Sequence, residues 1–201
     1  SNLFTIADDV KIQVEFNPAM IAEYRLIGYE TRLLNREDFN NDKVDAGEIG
    51  SGASVTAIYE VTPVDSDARL IDPSRYVAAQ PLPENRLEGE FGYLRLRYKK
   101  PGEDTSYLVE QAITEHDGFA TIGDAPASTR FATAVAAYGQ LLRGDPYLSD
   151  DFSWDEVIAL AMTAKGEDAF GYRAEFVQLA RSAKTAAAQA TLEREGDGVP
   201  N

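Results

Sequence analysis

The chain has 201 residues, with 34 acidic against 19 basic side chains and a net charge of -15; it has one histidine, one tryptophan and no cysteine. This composition excludes disulfides, thiolate metal sites, iron–sulfur clusters and cysteine nucleophiles, and a single His excludes a multi-His metal centre. The charge argues against nucleic acid and anionic lipid as partners, and no run of about 18 apolar residues offers a membrane span.

The chain opens Ser1-Asn2-Leu3 without Met. It reads as a processed or excised piece, with Ser1-Asn2 set aside as a cloning remnant. Val10, Ile12, Val14 and Phe16 then alternate with Lys11, Gln13 and Glu15. That period of two predicts a half-buried strand, stopped by Asn17-Pro18. Residues 22–33 predict a second strand, apolar on both faces and therefore central, with a bulge or close contact at Gly28. A third is expected over 54–62, carrying Val55, Ala57, Tyr59 and Val61 and ending at Pro63.

The clearest pair is 93–99 with 107–114. Leu94, Leu96 and Tyr98 point to one side, and Arg95, Arg97 and Lys99 to the other. Pro101-Gly102 suits a type II turn, which makes the pair a hairpin in which the basic row can meet Glu110. About five antiparallel strands result, as a sheet or a sandwich-like unit. Residues 64–90 hold Pro73, Pro81 and Pro83 and carry no period, so they read as a mobile loop or a surface arm.

After Gly123-Asp124-Ala125-Pro126 the period becomes 3.6. Ser128 or Thr129 is the expected cap of a first helix carrying Phe131, Val135, Tyr138 and Leu142 and ending at Arg143-Gly144. Ser153-Trp154-Asp155-Glu156 is a capping box for a second, which ends at Lys165-Gly166, with Trp154 as an apolar anchor at its start. Asp168 is the expected cap of a third, bearing Tyr172, Phe176 and Leu179. The fold class is thus α+β: a sheet or sandwich-like half over 8–122, about three helices over 127–190, and a polar tail over 191–201 expected to fray.

Chemistry has few candidates. Asp38, Asn40 and Asp42 match the first positions of a calcium loop, but Lys43 stands where Gly is needed and Ile49 where a bidentate Glu is needed. An EF-hand is rejected. An irregular cation site from Asp38, Asp42, Asp45 and Glu48 stays open beside the plainer reading of a solvated loop. Gly47-Glu48-Ile49-Gly50-Ser51-Gly52 lacks the dinucleotide order and reads as a tight turn before the next strand. His116 sits among acids at a strand end, where an exposed turn histidine is the simplest reading. The pairs Asp150-Asp151 and Asp155-Glu156 could serve as glycosidase acids, but the capping box already accounts for the second. No cofactor is expected.

Longer strings carry a resemblance. Tyr24-Arg25-Leu26-Ile27-Gly28-Tyr29-Glu30, Asp45-Ala46-Gly47-Glu48-Ile49-Gly50, Val55-Thr56-Ala57-Ile58-Tyr59-Glu60, Phe131 to Gly139 and Gly171-Tyr172-Arg173-Ala174-Glu175-Phe176 occur in this order. The chain resembles, over roughly residues 8–185, the C-terminal domain of bacterial von Willebrand factor type A domain proteins of the YfbK-like kind. The resemblance implies that a type A domain precedes this one, with its own metal site of the form Asp-x-Ser-x-Ser. No such motif occurs here, Asp65-Ser66-Asp67 being the nearest, and Ala53 stands where the family often has His. The implied role is a non-enzymatic accessory domain packing on the type A domain of the same chain, with contacts to other proteins and a cell-envelope or lipoprotein-anchored location. The residues 38–52 and 64–90 are the expected surface loops for such contacts. The alternative is a cation-binding or hydrolytic module built on the acidic residues 38–48.

Overall fold

The computed structural model describes residues 4–28, 39, 47–72, 89–148 and 152–197, with side chains to 193. The chain forms two compact units, Ser1–Gly118 and Phe119–Asn201. Among the described residues the first is mainly antiparallel β and the second helical, giving the α+β class that the two periods predict.

Among its described residues the first unit has six strands: β1 (Thr5–Phe16), β2 (Ile21–Ile27), β3 (Gly47–Gly50), β4 (Ile58–Pro63), β5 (Glu90–Lys99) and β6 (Ser106–Thr114). A four-stranded sheet runs in the order β3-β1-β5-β6, and β2 and β4 form a separate ribbon. The register places Ile12 beside Leu96 and Leu96 beside Val109, with Val14, Leu94 and Gln111 in the next row. Paired residues share a face, so this is the apolar side. Lys11, Arg97 and Leu108 form a row of the opposite, mainly polar side, as do Gln13, Arg95 and Glu110.

The hairpin closes as expected. The Glu103 amide donates to the Lys100 carbonyl at 3.0 Å, with Gly102 at φ +78°. That is the left-handed second corner of a type II turn. Arg95 meets Glu110 at 3.1 Å across the pair.

Several expectations are corrected. Among the described residues β2 is not central: it pairs only with β4, and Tyr24 is exposed. Both faces of a narrow ribbon can carry apolar groups without a second neighbour. β2 ends at Ile27, where Gly28 takes φ +76° with open space around it, so its need is conformational rather than a close contact; residues 29–33 of the expected strand lie outside the described residues. The third expected strand starts at Ile58, not 54. The glycine run at 47–50, read as a turn, is the edge strand β3, short enough to need little β-propensity of its own.

In the second unit, α1 (Ala127–Arg143), α2 (Trp154–Thr163) and α3 (Tyr172–Asp197) follow one another. The N-cap of α1 is Pro126, not Ser128 or Thr129. Proline presets a φ compatible with a helix start, and its carbonyl accepts from the Arg130 amide at 3.0 Å. Gly144 closes α1 in the left-handed conformation at φ +63°. α2 has the expected box, with Ser153 and Glu156 bonded reciprocally. α3 continues to Asp197, past the expected end near 190. Ala, Glu and Arg are strong helix formers, and the Pro that would stop the helix comes only at Pro200.

The helical core is Ala134, Ala137, Val157, Ala161 and Val177. Four alanines on the contact faces (Ala134, Ala161, Ala164 and Ala180) have no exposed surface, so the helices approach closely. Around them Phe131 and Tyr138 meet Phe176 edge-on at 5.4 and 5.3 Å, and Tyr138 meets Trp154 at 5.8 Å.

Candidate functional site

Of the four candidate cation ligands, Asp38, Asp42 and Asp45 lie outside the described residues. Glu48 is an exposed residue of β3. Its neighbours Gly47 and Ile49 pair with Val10 and Ala7, so Glu48 opposes a bulge of β1 at Asp8-Asp9. Asp9 takes φ +56° there, which a non-glycine residue rarely adopts. Its carboxylate lies 2.9 Å from the Lys99 ammonium and 3.7 Å from that of Lys11, whose side chain is almost wholly buried. Charges held this close by side chains so little exposed interact strongly, and the Asp9 carboxylate sits between two ammonium groups. Nothing local announces this cluster, because Lys11 falls on the polar face of its strand. Among the described residues no three His, Cys, Asp or Glu side chains gather closely enough to hold a metal ion.

His116 is in a single 3₁₀ turn, Glu115–Asp117, at the end of β6. Next to it, Asp117 accepts from the Thr114 amide at 2.9 Å and from its hydroxyl at 3.0 Å. Those two bonds, with the nearby His116, hold the Asp117 carboxyl below the usual carboxylate range against the opposing effect of desolvation. It works as a local cap. Asp155 pairs with Lys184 at 2.6 Å, and Glu156 is bound to Ser153, whose hydroxyl and amide keep its carboxyl low. Both are structural acids; Asp150 and Asp151 lie outside the described residues. Asp168 stands at φ +44° and accepts from the Arg173 and Ala174 amides at 3.0 and 2.8 Å. Desolvation raises its pKa, but those amides and the Lys165 and Arg173 charges outweigh it and leave the carboxyl low. Asp65-Ser66-Asp67 forms a turn after β4, with the Ser66 hydroxyl accepting from the Ala68 amide.

What the geometry does offer is surface. The apolar side of the four-stranded sheet is covered at one end, where Phe16 packs on Tyr24 and Tyr59 of the ribbon at 4.6 and 5.3 Å. At the other end Ile12 is 45% exposed, Tyr107 37% and Val109 49%. Tyr98 and Tyr107 stack there at 5.6 Å. Among the described residues, the β unit buries only two apolar side chains, Ile21 and Phe39, and the helical unit eight. The start of the 64–90 stretch is tied down rather than loose. Glu23 accepts from the Leu70 and Ile71 amides, the latter at 2.8 Å, and these bonds lower its pKa. Leu70 and Ile71 themselves face solvent; residues 73–88 lie outside the described residues.

The family described as "Uncharacterized protein YfbK, C-terminal" matches residues 1–186. The chain is 46% identical over 177 residues to the "Uncharacterized protein YfbK" of Escherichia coli (strain K12), a match that spans 88% of this chain and 30% of that protein. No solved structure matches. The chain therefore belongs to the YfbK C-terminal domain family, and it spans about a third of the length of the relative it matches.

Proposed function

We propose that this is a non-enzymatic accessory domain that packs on a von Willebrand type A domain of the same, longer chain and supports protein–protein contacts. The observation that carries it is the half-open apolar face at Ile12, Tyr107 and Val109, on a unit whose described residues include few buried apolar side chains. Exposed apolar patches on soluble domains commonly mark contact surfaces. The much greater length of the relative supplies room for a partner domain in the same chain. The resemblance adds what that domain is, and a location in the cell envelope. Among the described residues no helix is long and apolar enough to cross a membrane.

Equilibrium binding between this domain and the separately produced type A domain tests the reading. A complex is expected, weakened at least tenfold by Val109→Lys, which sets a charge on the open face. No association, even with the two domains tethered, sinks it. A rise in melting temperature with millimolar calcium would favour the cation-binding alternative instead, since a ligand that binds the native state stabilises it.

A further inference from the structure

Among the described residues no strand pairs with the outer edge of β6. β6 ends the strand order β3-β1-β5-β6, and its register with β5 is regular from Gly92↔Ile113 to Lys99↔Ser106. Residues 107–111 are exposed in succession, so apolar side chains reach solvent on both faces: Val109 and Tyr107, which stacks on Tyr98, on one, and Leu108 at 54% exposure on the other. Natural edges are usually blunted by Pro, Lys or a bulge. This one, Ser-Tyr-Leu-Val-Glu-Gln-Ala-Ile-Thr, has no Pro and no Lys, and no bulge from Gly92↔Ile113 onward. Such an edge is a template for an added strand.

The charge around it selects the occupant. From residue 103 to 117 the acids are Glu103, Asp104, Glu110, Glu115 and Asp117, with no Lys or Arg. Glu110 is matched by Arg95, whereas the other four sit beyond the two strand ends. Lys100, over the Tyr107 ring at 4.4 Å, offsets one of the charges at the Glu103 end. A second copy pairing antiparallel through β6 would set Glu103 and Asp104 of one chain against Glu115 and Asp117 of the other, at both ends. Like charges so placed oppose the pairing.

We propose that the β6 edge binds an extended segment of a separate partner protein, with alternating apolar residues and Lys or Arg at its ends, as a fifth strand of the sheet. This stands apart from packing on the type A domain, because it uses the backbone groups of the strand edge, and Leu108 on the opposite face reports on it alone.

The test uses the 201-residue chain and a synthetic peptide of alternating Val and Thr with two lysines at each end. Saturable binding is expected, with slowed hydrogen exchange confined to β6. Affinity should fall at least tenfold for the same peptide with glutamates at its ends, and equally for one N-methylated along the edge that faces β6. Leu108→Lys, and the triple change Glu103→Gln, Asp104→Asn, Glu115→Gln, should each weaken binding while leaving the melting temperature within a few degrees. Absence of binding overturns the proposal, as does equal binding of the N-methylated peptide, which would mean charge attraction without strand addition. So would a β6-mediated dimer of the chain, or β6 amides already protected in the full-length protein, where the edge would be taken internally.

Discussion

Ser153 shows how much one hydroxyl can decide. It accepts from the Glu156 amide at 3.4 Å, while Glu156 accepts from the Ser153 amide at 2.8 Å. Removing the cap with Ser153→Ala is expected to cost about 1 kcal/mol, read as a lowered midpoint in urea. Glu156 is titrated low by the same pairing. Its folded pKa is below the ordinary 4.5, so its contribution is complete above pH 4.5 and is lost as the pH falls through the folded value. Stability measured from pH 6 to pH 2 should show the native chain and Glu156→Gln differing at pH 6 and converging in acid; parallel curves would contradict this. Asp168 has two duties, a left-handed φ and two accepted amide bonds. Asn tolerates that φ and keeps one acceptor oxygen, whereas Ala does neither well. Asp168→Asn should therefore melt nearer the native chain than Asp168→Ala. Ser153 and Asp168 were both legible as caps, because capping chemistry is local to a few residues. The Asp9 cluster was not: a bulge and the burial of Lys11 depend on strands far apart in sequence.

Elements differ in how far their pattern reveals them. β1 from Val10 and β5 from Tyr93 alternate cleanly, and the register places Ile12 and Val14 beside Leu96 and Leu94. β3 was missed because four residues containing two glycines carry no period, and it exists through pairing with β1. Apolar groups on both faces of β2 suit a two-stranded ribbon, its arrangement among the described residues, as well as a sheet centre. Gly92 marks a further limit, since nothing local shows its need. A Cβ there would lie 2.7 Å from the Glu15 carbonyl oxygen across the β1–β5 pair. Gly92→Ala is expected to destabilise the β unit by about 1–3 kcal/mol, the usual cost of forcing atoms into a filled site. Chemical denaturation followed by tyrosine fluorescence would read it, and an unchanged midpoint would contradict the close approach. In the helical unit the alanines make the same point. Ala161→Leu should cost about 1–3 kcal/mol, because Ala161 has no exposed surface between α1 and α3 neighbours to receive a larger group.

At the scale of the whole molecule, the net charge of -15 divides into -5 for residues 1–100 and -10 for 101–201. Much of the second half's excess is structural, in helix-start acids such as Asp155, Glu156 and Asp168, and part of it frames the β6 edge. The two units are unequal in another respect: the helices enclose a core of their own, while the β unit leaves Ile12, Tyr107 and Val109 half open. The family and the fold class were readable in the sequence. The surface was not, because alternation shows which side chains share a face and not whether anything covers it. The accessory reading turns on that face, and hydroxyl-radical footprinting of this domain, alone and joined to its type A domain, tests it directly. Labelling of Ile12, Tyr107 and Val109 should fall at least severalfold in the joined protein while Leu108, on the opposite face, stays reactive. Equal labelling of those three residues in both samples, with both domains folded, would contradict the account.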